Sequence, residues 1–192
     1  MFSYGKDYLT ISKALALVNG SLKGQIEPET AEKIRQSTAW VEEIVASEEV
    51  VYGINTGFGP LCDTIISDEQ TSQLQHNLLI SHSVGVGEPI SMEMAKMMLV
   101  CKVHSLSMAY SGIRMSTIER ILWHIENNVI PVVPSKGSVG ASGDLAPLSH
   151  LFLPLIGMGK VIFEGNEFEA LEILSKFGLS PLSLGPKEGL AL

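Results

Sequence analysis

The run that most constrains this chain lies at residues 137–144 and reads Gly137-Ser138-Val139-Gly140-Ala141-Ser142-Gly143-Asp144. Three common glycine-rich sites each need a residue that is missing here. A phosphate-binding P-loop ends in Gly-Lys-Ser/Thr, a dinucleotide-binding turn needs GxGxxG, and a nucleophile elbow needs GxSxG. The run has no lysine, its glycines are three apart, and Asp144 stands where the last glycine of an elbow belongs. These three kinds of site are therefore excluded.

Two interpretations of the triplet Ala141-Ser142-Gly143 remain. The simpler one is a tight turn that leads into a helix, because small residues and glycine favour turns. The other is chemical. If the Gly143 nitrogen meets the Ala141 carbonyl carbon, ring closure with loss of water gives an imidazolinone, and loss of the Ser142 hydroxyl gives a dehydroalanine. Glycine tolerates the strained backbone that this needs, and a helix starting at Ser142 or Asp144 would stabilise charge on the resulting electrophile.

The sequence on both sides of this run has the hydrophobic periodicity of helices. Helices are predicted at about 12–18, 28–45, 67–82, 91–108, 116–125 and 145–156. Capping boxes begin two of them, at Ser67 and at Ser116. Short β signals occur at 8–11 and in a hairpin around 161–166. In the helix that starts at Ser91, one stripe predicts core or subunit interface rather than a cofactor site, and it consists of Met94, Met97, Met98, Cys101, Ser105 and Met108.

Composition excludes several classes of function. A formal charge of −8 and a pI of about 5.1 argue against nucleic acid or an anionic membrane as a partner. Cys62 and Cys101 are too few for a disulfide framework, and no signal peptide or membrane span is evident. We therefore expect a soluble cytoplasmic protein. His76, His104, His124 and His150 form no HExxH or other metal pattern, so no metal is predicted.

Three stretches resemble the aromatic amino acid ammonia-lyases. The run from Pro134 to His150 resembles the signature of that family, in which the Ala-Ser-Gly triplet becomes the prosthetic group 4-methylidene-imidazol-5-one. The segment 52–60, Tyr52-Gly53-Ile54-Asn55-Thr56-Gly57-Phe58-Gly59-Pro60, is similar to the family's tyrosine-bearing active-site loop. The segment 77–87 is similar to its substrate-selectivity segment, where histidine-specific members tend to carry Ser-His, as Ser81-His82 does here.

The resemblance assigns roles to particular residues. Ala141, Ser142 and Gly143 would form the prosthetic group, and Ser142 with Tyr52 would be catalytic. Tyr52 would act as acid or base, while His82 would hold the imidazole of L-histidine, giving trans-urocanate and ammonia. Residues expected to support the site are Asn55, Gly59 and Asp144.

The resemblance also implies an architecture. The expected fold class is mainly α with minor short strands, the N-terminal part of an aspartase/fumarase-like helical lyase. Residues 1–192 would be one domain that carries the triplet, with the C-terminal helical body absent. The run 188–192 resembles the family's approach to an active-site asparagine, so we expect a truncated and inactive piece of a homotetramer.

Two rival hypotheses stay open. Some tyrosine-specific members also carry Ser-His, so a tyrosine ammonia-lyase or an aminomutase with the same prosthetic group is the nearer rival. The more distant one is a non-catalytic helical oligomerisation module, in which the glycines are turns and the methionine stripe is an interface. The mass of the triplet distinguishes the module from an enzyme, because maturation removes two water molecules.

Overall fold

The computed structural model describes residues 1–47, 49–57, 66 and 68–192, without the side chains of Asp68, Glu69 and Ser142. This part of the chain is mainly helical with short strands, as the sequence predicts. The helices are α1 (Ile11–Val18), α2 (Pro28–Ala46), α3 (Asp68–His82), α4 (Met92–Leu106), α5 (Met115–Glu126), α6 (Leu145–Phe152), α7 (Ala170–Lys176) and α8 (Glu188–Ala191). The strands are β1 (Phe2–Ser3), β2 (Gly24–Gln25), β3 (Val86–Pro89), β4 (Ile130–Pro131), β5 (Pro134–Lys136), β6 (Lys160–Phe163) and β7 (Asn166–Glu169).

Local sequence signals account for several element boundaries. Pro28 occupies the first turn of α2, where a missing N–H costs nothing. Ser91 caps α4, its hydroxyl accepting a hydrogen bond from the Met94 N–H at 3.2 Å. The predicted hairpin forms between β6 and β7, with Glu164 and Gly165 at its turn. These three predictions are confirmed.

Other boundaries differ from the prediction. No strand forms at 8–11, because Thr10 caps α1 with its hydroxyl and Ile11 starts the helix. The capping box at Ser116 is wrong, since α5 begins one residue earlier, at Met115. The capping box at Ser67 lies outside the described residues. The predicted helix at 145–156 is α6 followed by a 3₁₀ turn, Leu153–Ile156, which contains Pro154.

The strands form small separate sheets. β1 pairs in parallel with β2, and β4, β6 and β7 form an antiparallel sheet in that order. β3 pairs antiparallel with β5, with Val86 opposite Lys136 and Pro89 opposite Pro134. This last pairing matters for the site, because β3 follows α3 and β5 leads into the glycine-rich run.

The main hydrophobic core surrounds α4. Ala95, Leu99, Val100, Val103 and Leu106 are the buried apolar residues of this helix, and they pack against α1 and α5. The methionine stripe lies on a different face, and Met94 and Met108 are exposed. Met97 and Met98 pack against the edge of the core, so the stripe is core only in part, and its alternative role as a subunit interface stays a prediction.

No helix within the described residues is both long and apolar enough to cross a membrane.

Candidate functional site

The glycine-rich run forms a tight connection between β5 and α6. Gly140–Ser142 make a 3₁₀ turn, and the next two residues both have left-handed backbone angles, Gly143 at φ 86° and Asp144 at φ 58°. An aspartate at positive φ is strained unless its surroundings hold it there. The hydroxyl of Ser138 donates a hydrogen bond to Oδ1 of Asp144, which closes the run into a loop around the triplet.

The two outer residues of the triplet are accessible rather than packed in. Ala141 and Gly143 are exposed, and a Cβ placed on Gly140 or Gly143 would meet no atom within 4 Å. Crowding therefore does not explain the glycine at 143, whereas its positive φ does. A tight turn with open space around it and a glycine nitrogen at its end fits the backbone cyclisation described above, so the residues present are compatible with the prosthetic group.

A cleft of about 420 Å³ lies beside this turn. It brings together residues that are far apart in the sequence, because α3 and α6 pack against each other. Its lining includes Tyr52, His82 and Gly143, three residues predicted for the site. The remaining wall is formed by Leu78, Leu79, Lys102, Leu145, Leu148, Ser149, Gly189, Leu190 and Leu192.

Tyr52 belongs to a turn that Asn55 holds in shape. The side-chain oxygen of Asn55 accepts a hydrogen bond from the Val51 N–H at 2.9 Å, and its amide nitrogen donates to the Glu49 carbonyl at 2.7 Å. Asn55 is buried, whereas Tyr52 is 61% exposed. Asn55 thus supports the loop from behind and leaves the phenol on the cleft side. Gly59 lies outside the described residues.

His82 is the last residue of α3 and its ring orientation is fixed by the helix. Nδ1 lies 2.8 Å from the carbonyl oxygen of Leu78 and 3.1 Å from the hydroxyl of Ser81. A carbonyl oxygen only accepts, so Nδ1 carries the proton. In the neutral ring, Nε2 is then a hydrogen-bond acceptor, and it makes no hydrogen bond to the described residues. The side chain therefore offers the cleft an acceptor for an N–H or O–H group.

Lys102 supplies the cleft with a positive charge that the sequence analysis missed. Burial lowers its pKa, and its ammonium lies 6.0 Å from the centroid of the Phe152 ring. It has no hydrogen bond or ion pair with the described residues. A lone lysine in a methionine-rich helix gave no signal of its own, because the cleft that it lines is otherwise formed by residues distant in the sequence.

The end of the chain forms one wall of the cleft and is held by a buried carboxylate. Glu188 is 1% exposed and accepts hydrogen bonds from the Arg114 guanidinium and N–H, from the Thr117 hydroxyl at 2.7 Å and from the Gly185 N–H at 2.7 Å. Beside it, Gly189 lies so close to α3 that a Cβ would fall 2.6 Å from the Gln75 carbonyl oxygen. These contacts fix residues 188–192 against α3 and α5.

A second groove of about 650 Å³ lies on the other side of the turn. Gly143 and Lys102 border both spaces, and Asp144 borders only this second one. Its apolar wall includes Met94, Met98 and Cys101 of the methionine stripe. The stripe therefore faces an open groove next to the triplet.

Within the described ranges, no group of three or more His, Cys, Asp or Glu side chains is arranged to hold a metal ion.

Comparison with known proteins gives one consistent family. The aromatic amino acid lyase family model matches residues 9–192. Histidine ammonia-lyase from Streptococcus sanguinis is 41% identical over 186 residues, which is 97% of this chain and 36% of that protein. The chain thus spans about a third of the length of the curated relatives it matches.

Solved structures share the fold. Histidine ammonia-lyase from Trypanosoma cruzi superimposes with a TM-score of 0.90 at 39% identity, covering 100% of this chain and 37% of that one. Tyrosine aminomutase from Streptomyces globisporus gives a TM-score of 0.90 at 30% identity, covering 99% and 36%. With the family model matching nearly its whole length, the chain belongs to the aromatic amino acid lyases.

Proposed function

We propose that the protein to which this chain belongs deaminates L-histidine to trans-urocanate and ammonia. The observation that carries the proposal is the cleft itself, which has Tyr52, His82 and Gly143 of the triplet on its walls. Relatives at 41–43% identity are named histidine ammonia-lyases, which favours the same reaction here.

The prosthetic group proposed for this site is 4-methylidene-imidazol-5-one, formed from Ala141, Ser142 and Gly143. When formed, it supplies an electrophile that activates the amino group of the substrate for departure. The left-handed conformations of Gly143 and Asp144 and the Ser138–Asp144 hydrogen bond hold the turn compact. We assign Asp144 this supporting role.

His82 is proposed to bind the side chain of the substrate. Its Nε2 is a hydrogen-bond acceptor, and the neutral imidazole of L-histidine has one N–H group that could donate a hydrogen bond to it. Helix α3 holds the His82 ring through Leu78, so little side-chain entropy would be lost on binding.

Tyr52 is proposed as the group that moves the β-proton, with Asn55 and Gly59 supporting its loop.

The ammonium of Lys102 would bind the carboxylate of the amino acid, because an unpaired charge in a partly buried cleft is costly in free energy unless an anion lies beside it. Replacing Lys102 by methionine should therefore raise KM for L-histidine more than it lowers kcat.

A tyrosine ammonia-lyase or an aminomutase is the second candidate, and two observations favour it. The tyrosine aminomutase of Streptomyces globisporus has the same fold at 30% identity. The acceptor at His82 Nε2 would also suit a phenolic O–H. The same residues would then serve a different substrate.

The proposal extends to the whole protein. Residues 1–192 would be the N-terminal domain, and a helical body elsewhere in the protein would complete each site. The assembly would be a cytoplasmic homotetramer that acts on a small amino acid and binds neither nucleic acid nor membrane. Light scattering on the purified gene product would give the number of subunits.

The test is turnover by the complete gene product. Incubation with L-histidine should release urocanate, detected by its ultraviolet absorbance, and the Ser142→Ala variant should release none. Coumarate from L-tyrosine, or β-tyrosine, with no urocanate would instead favour the second candidate. Absence of turnover with every aromatic amino acid would overturn the proposed function.

A further inference from the structure

His150 joins the helix after the triplet to the segment after His82. Its Nε2 accepts a hydrogen bond from the Gly85 N–H at 3.0 Å, across 65 residues of sequence. His150 belongs to α6, which begins two residues after Gly143, and Gly85 follows His82 by three residues. One hydrogen bond therefore connects the two parts of the chain that carry the proposed chemistry and the proposed substrate recognition.

The segment around Gly85 is clamped as well as hydrogen-bonded. A Cβ on Gly85 would lie 3.1 Å from both Cδ2 and Nε2 of His150 and 3.2 Å from the Lys136 carbonyl oxygen. The residue after Lys136 is equally close, since a Cβ on Gly137 would lie 2.9 Å from the Gly85 Cα. Pairing of Val86 with Lys136 continues the contact into β3 and β5. Gly85 thus has backbone or ring atoms close on two sides, and its position cannot shift without moving them.

The hydrogen bond requires one protonation state of the ring. Since the Gly85 N–H donates, Nε2 of His150 must carry a lone pair, and the proton of the neutral ring is on Nδ1. Burial lowers the pKa of His150, which favours this neutral form.

We propose that His150 is a positioning residue that sets the place of His82 relative to the Ala141–Gly143 turn. It acts through Gly85 and does not itself line the cleft, although its neighbour Ser149 does. The inference rests on the proposed function, because it assigns to His82 the contact with substrate. His150 therefore governs how well substrate binds more than how fast it reacts.

The test compares His150→Ala, His150→Gln and Gly85→Ala in the complete gene product. His150→Ala should raise KM for L-histidine about threefold to tenfold, the range expected for one neutral hydrogen bond, with kcat changed less. His150→Gln should restore most of the loss, because its side-chain oxygen can accept from the Gly85 N–H. Gly85→Ala should raise KM for L-histidine by a similar factor, although His150 is intact in that variant.

A matched control is available on another part of the molecule. Nδ1 of His104 accepts a hydrogen bond from the Gly5 N–H at 3.2 Å, also a glycine-to-histidine contact between distant segments, and His104 does not line the cleft. His104→Ala should lower thermal stability and leave KM unchanged. Equal KM changes in His104→Ala and His150→Ala, or no rescue by His150→Gln, would overturn the proposal.

Hydrogen–deuterium exchange separates this inference from the proposed function. The peptide spanning residues 83–89 should exchange faster in His150→Ala than in the wild-type protein or in His150→Gln. Unchanged exchange would overturn the positioning role even in an active enzyme. Faster exchange in His150→Ala, together with a wild-type protein that turns over no amino acid, would support the positioning role and reject the proposed function.

Discussion

At the scale of single residues, Tyr52 is the simplest test of the proposed chemistry. Replacing it by phenylalanine removes the hydroxyl and keeps the ring that lines the cleft. Acid–base catalysis by a positioned side chain contributes about 10²–10⁴-fold, so kcat for L-histidine should fall by that factor while KM changes little. Steady-state kinetics measures both. A variant with wild-type kcat would show that another group moves the proton.

A substitution at His82 distinguishes a defect in substrate binding from a defect in formation of the prosthetic group. In His82→Asn, the amide nitrogen can still donate to the Leu78 carbonyl, but the acceptor that the ring offered at Nε2 is lost. KM for L-histidine should rise about threefold to tenfold, with the methylidene group still formed. Kinetics with L-histidine and the mass of the triplet together check this. An unchanged KM would mean that the substrate ring binds elsewhere.

His124 should make stability depend on pH. It is 1% exposed, Nδ1 lies 2.9 Å from the Val129 carbonyl oxygen, and its buried Nε2 has no hydrogen-bond partner among the described residues. Burial, together with the charge of Arg120, lowers the pKa to about 4. Between pH 6.5 and 4 the unfolded chain therefore binds a proton that the folded chain does not. The free energy of unfolding should fall by up to about 3 kcal/mol as the pH drops through this window.

The measurement is urea unfolding at a series of pH values, compared with His124→Asn. Asparagine can still donate to the Val129 carbonyl but does not titrate, so its stability should depend less steeply on pH below 6.5. Above pH 7.5 the two proteins should differ by a constant amount. Parallel curves over the whole range would contradict the assignment.

At the scale of elements, hydrogen bonds of Glu188 hold the segment 188–192, which forms one wall of the cleft, against α5. Removing one partner of a buried, hydrogen-bonded charge pair typically costs about 3–5 kcal/mol. Arg114 is partly exposed, so we expect Glu188→Ala to lose about 3 kcal/mol of unfolding free energy. KM should also rise, because Gly189, Leu190 and Leu192, which follow Glu188, line the cleft.

A matched control is the exposed pair Lys160–Glu167, whose atoms lie 2.7 Å apart. Glu167→Ala should cost less than about 1 kcal/mol and leave KM unchanged. Urea unfolding and steady-state kinetics measure both variants. Similar losses of unfolding free energy in Glu188→Ala and Glu167→Ala would mean that Glu188 does not hold this wall of the cleft in place.

Local patterns predicted the elements better than the contacts between them. The periodicity from Pro28 and the serine at 91 predicted α2 and α4, because propensity and capping act over a few residues. The start of α5 could not be read in this way, since Glu188 holds the Arg114 N–H from 74 residues away. The same limit explains why no pattern pointed to Lys102 or to the bond between His150 and Gly85.

At the scale of the whole molecule, the resemblance predicted which residues would meet, and physical reasoning from the sequence could not. Tyr52, His82 and Gly143 belong to three separate segments, and only the packing of α3 against α6 puts them on one cleft. The methionine stripe was predicted as core or subunit interface, and apolar composition alone could not show that Met97 packs against the core while Met94 lines an open groove.

The proposed chemistry requires that Ala141, Ser142 and Gly143 rearrange into an electrophile. Mass spectrometry of the complete gene product, with digestion to isolate the peptide that carries residues 137–150, tests it most directly. The peptide should be lighter by two water molecules in the wild-type protein and undehydrated in Ser142→Ala. A wild-type peptide of full mass from a preparation that still releases urocanate, or a non-catalytic protein with the triplet intact, would contradict it.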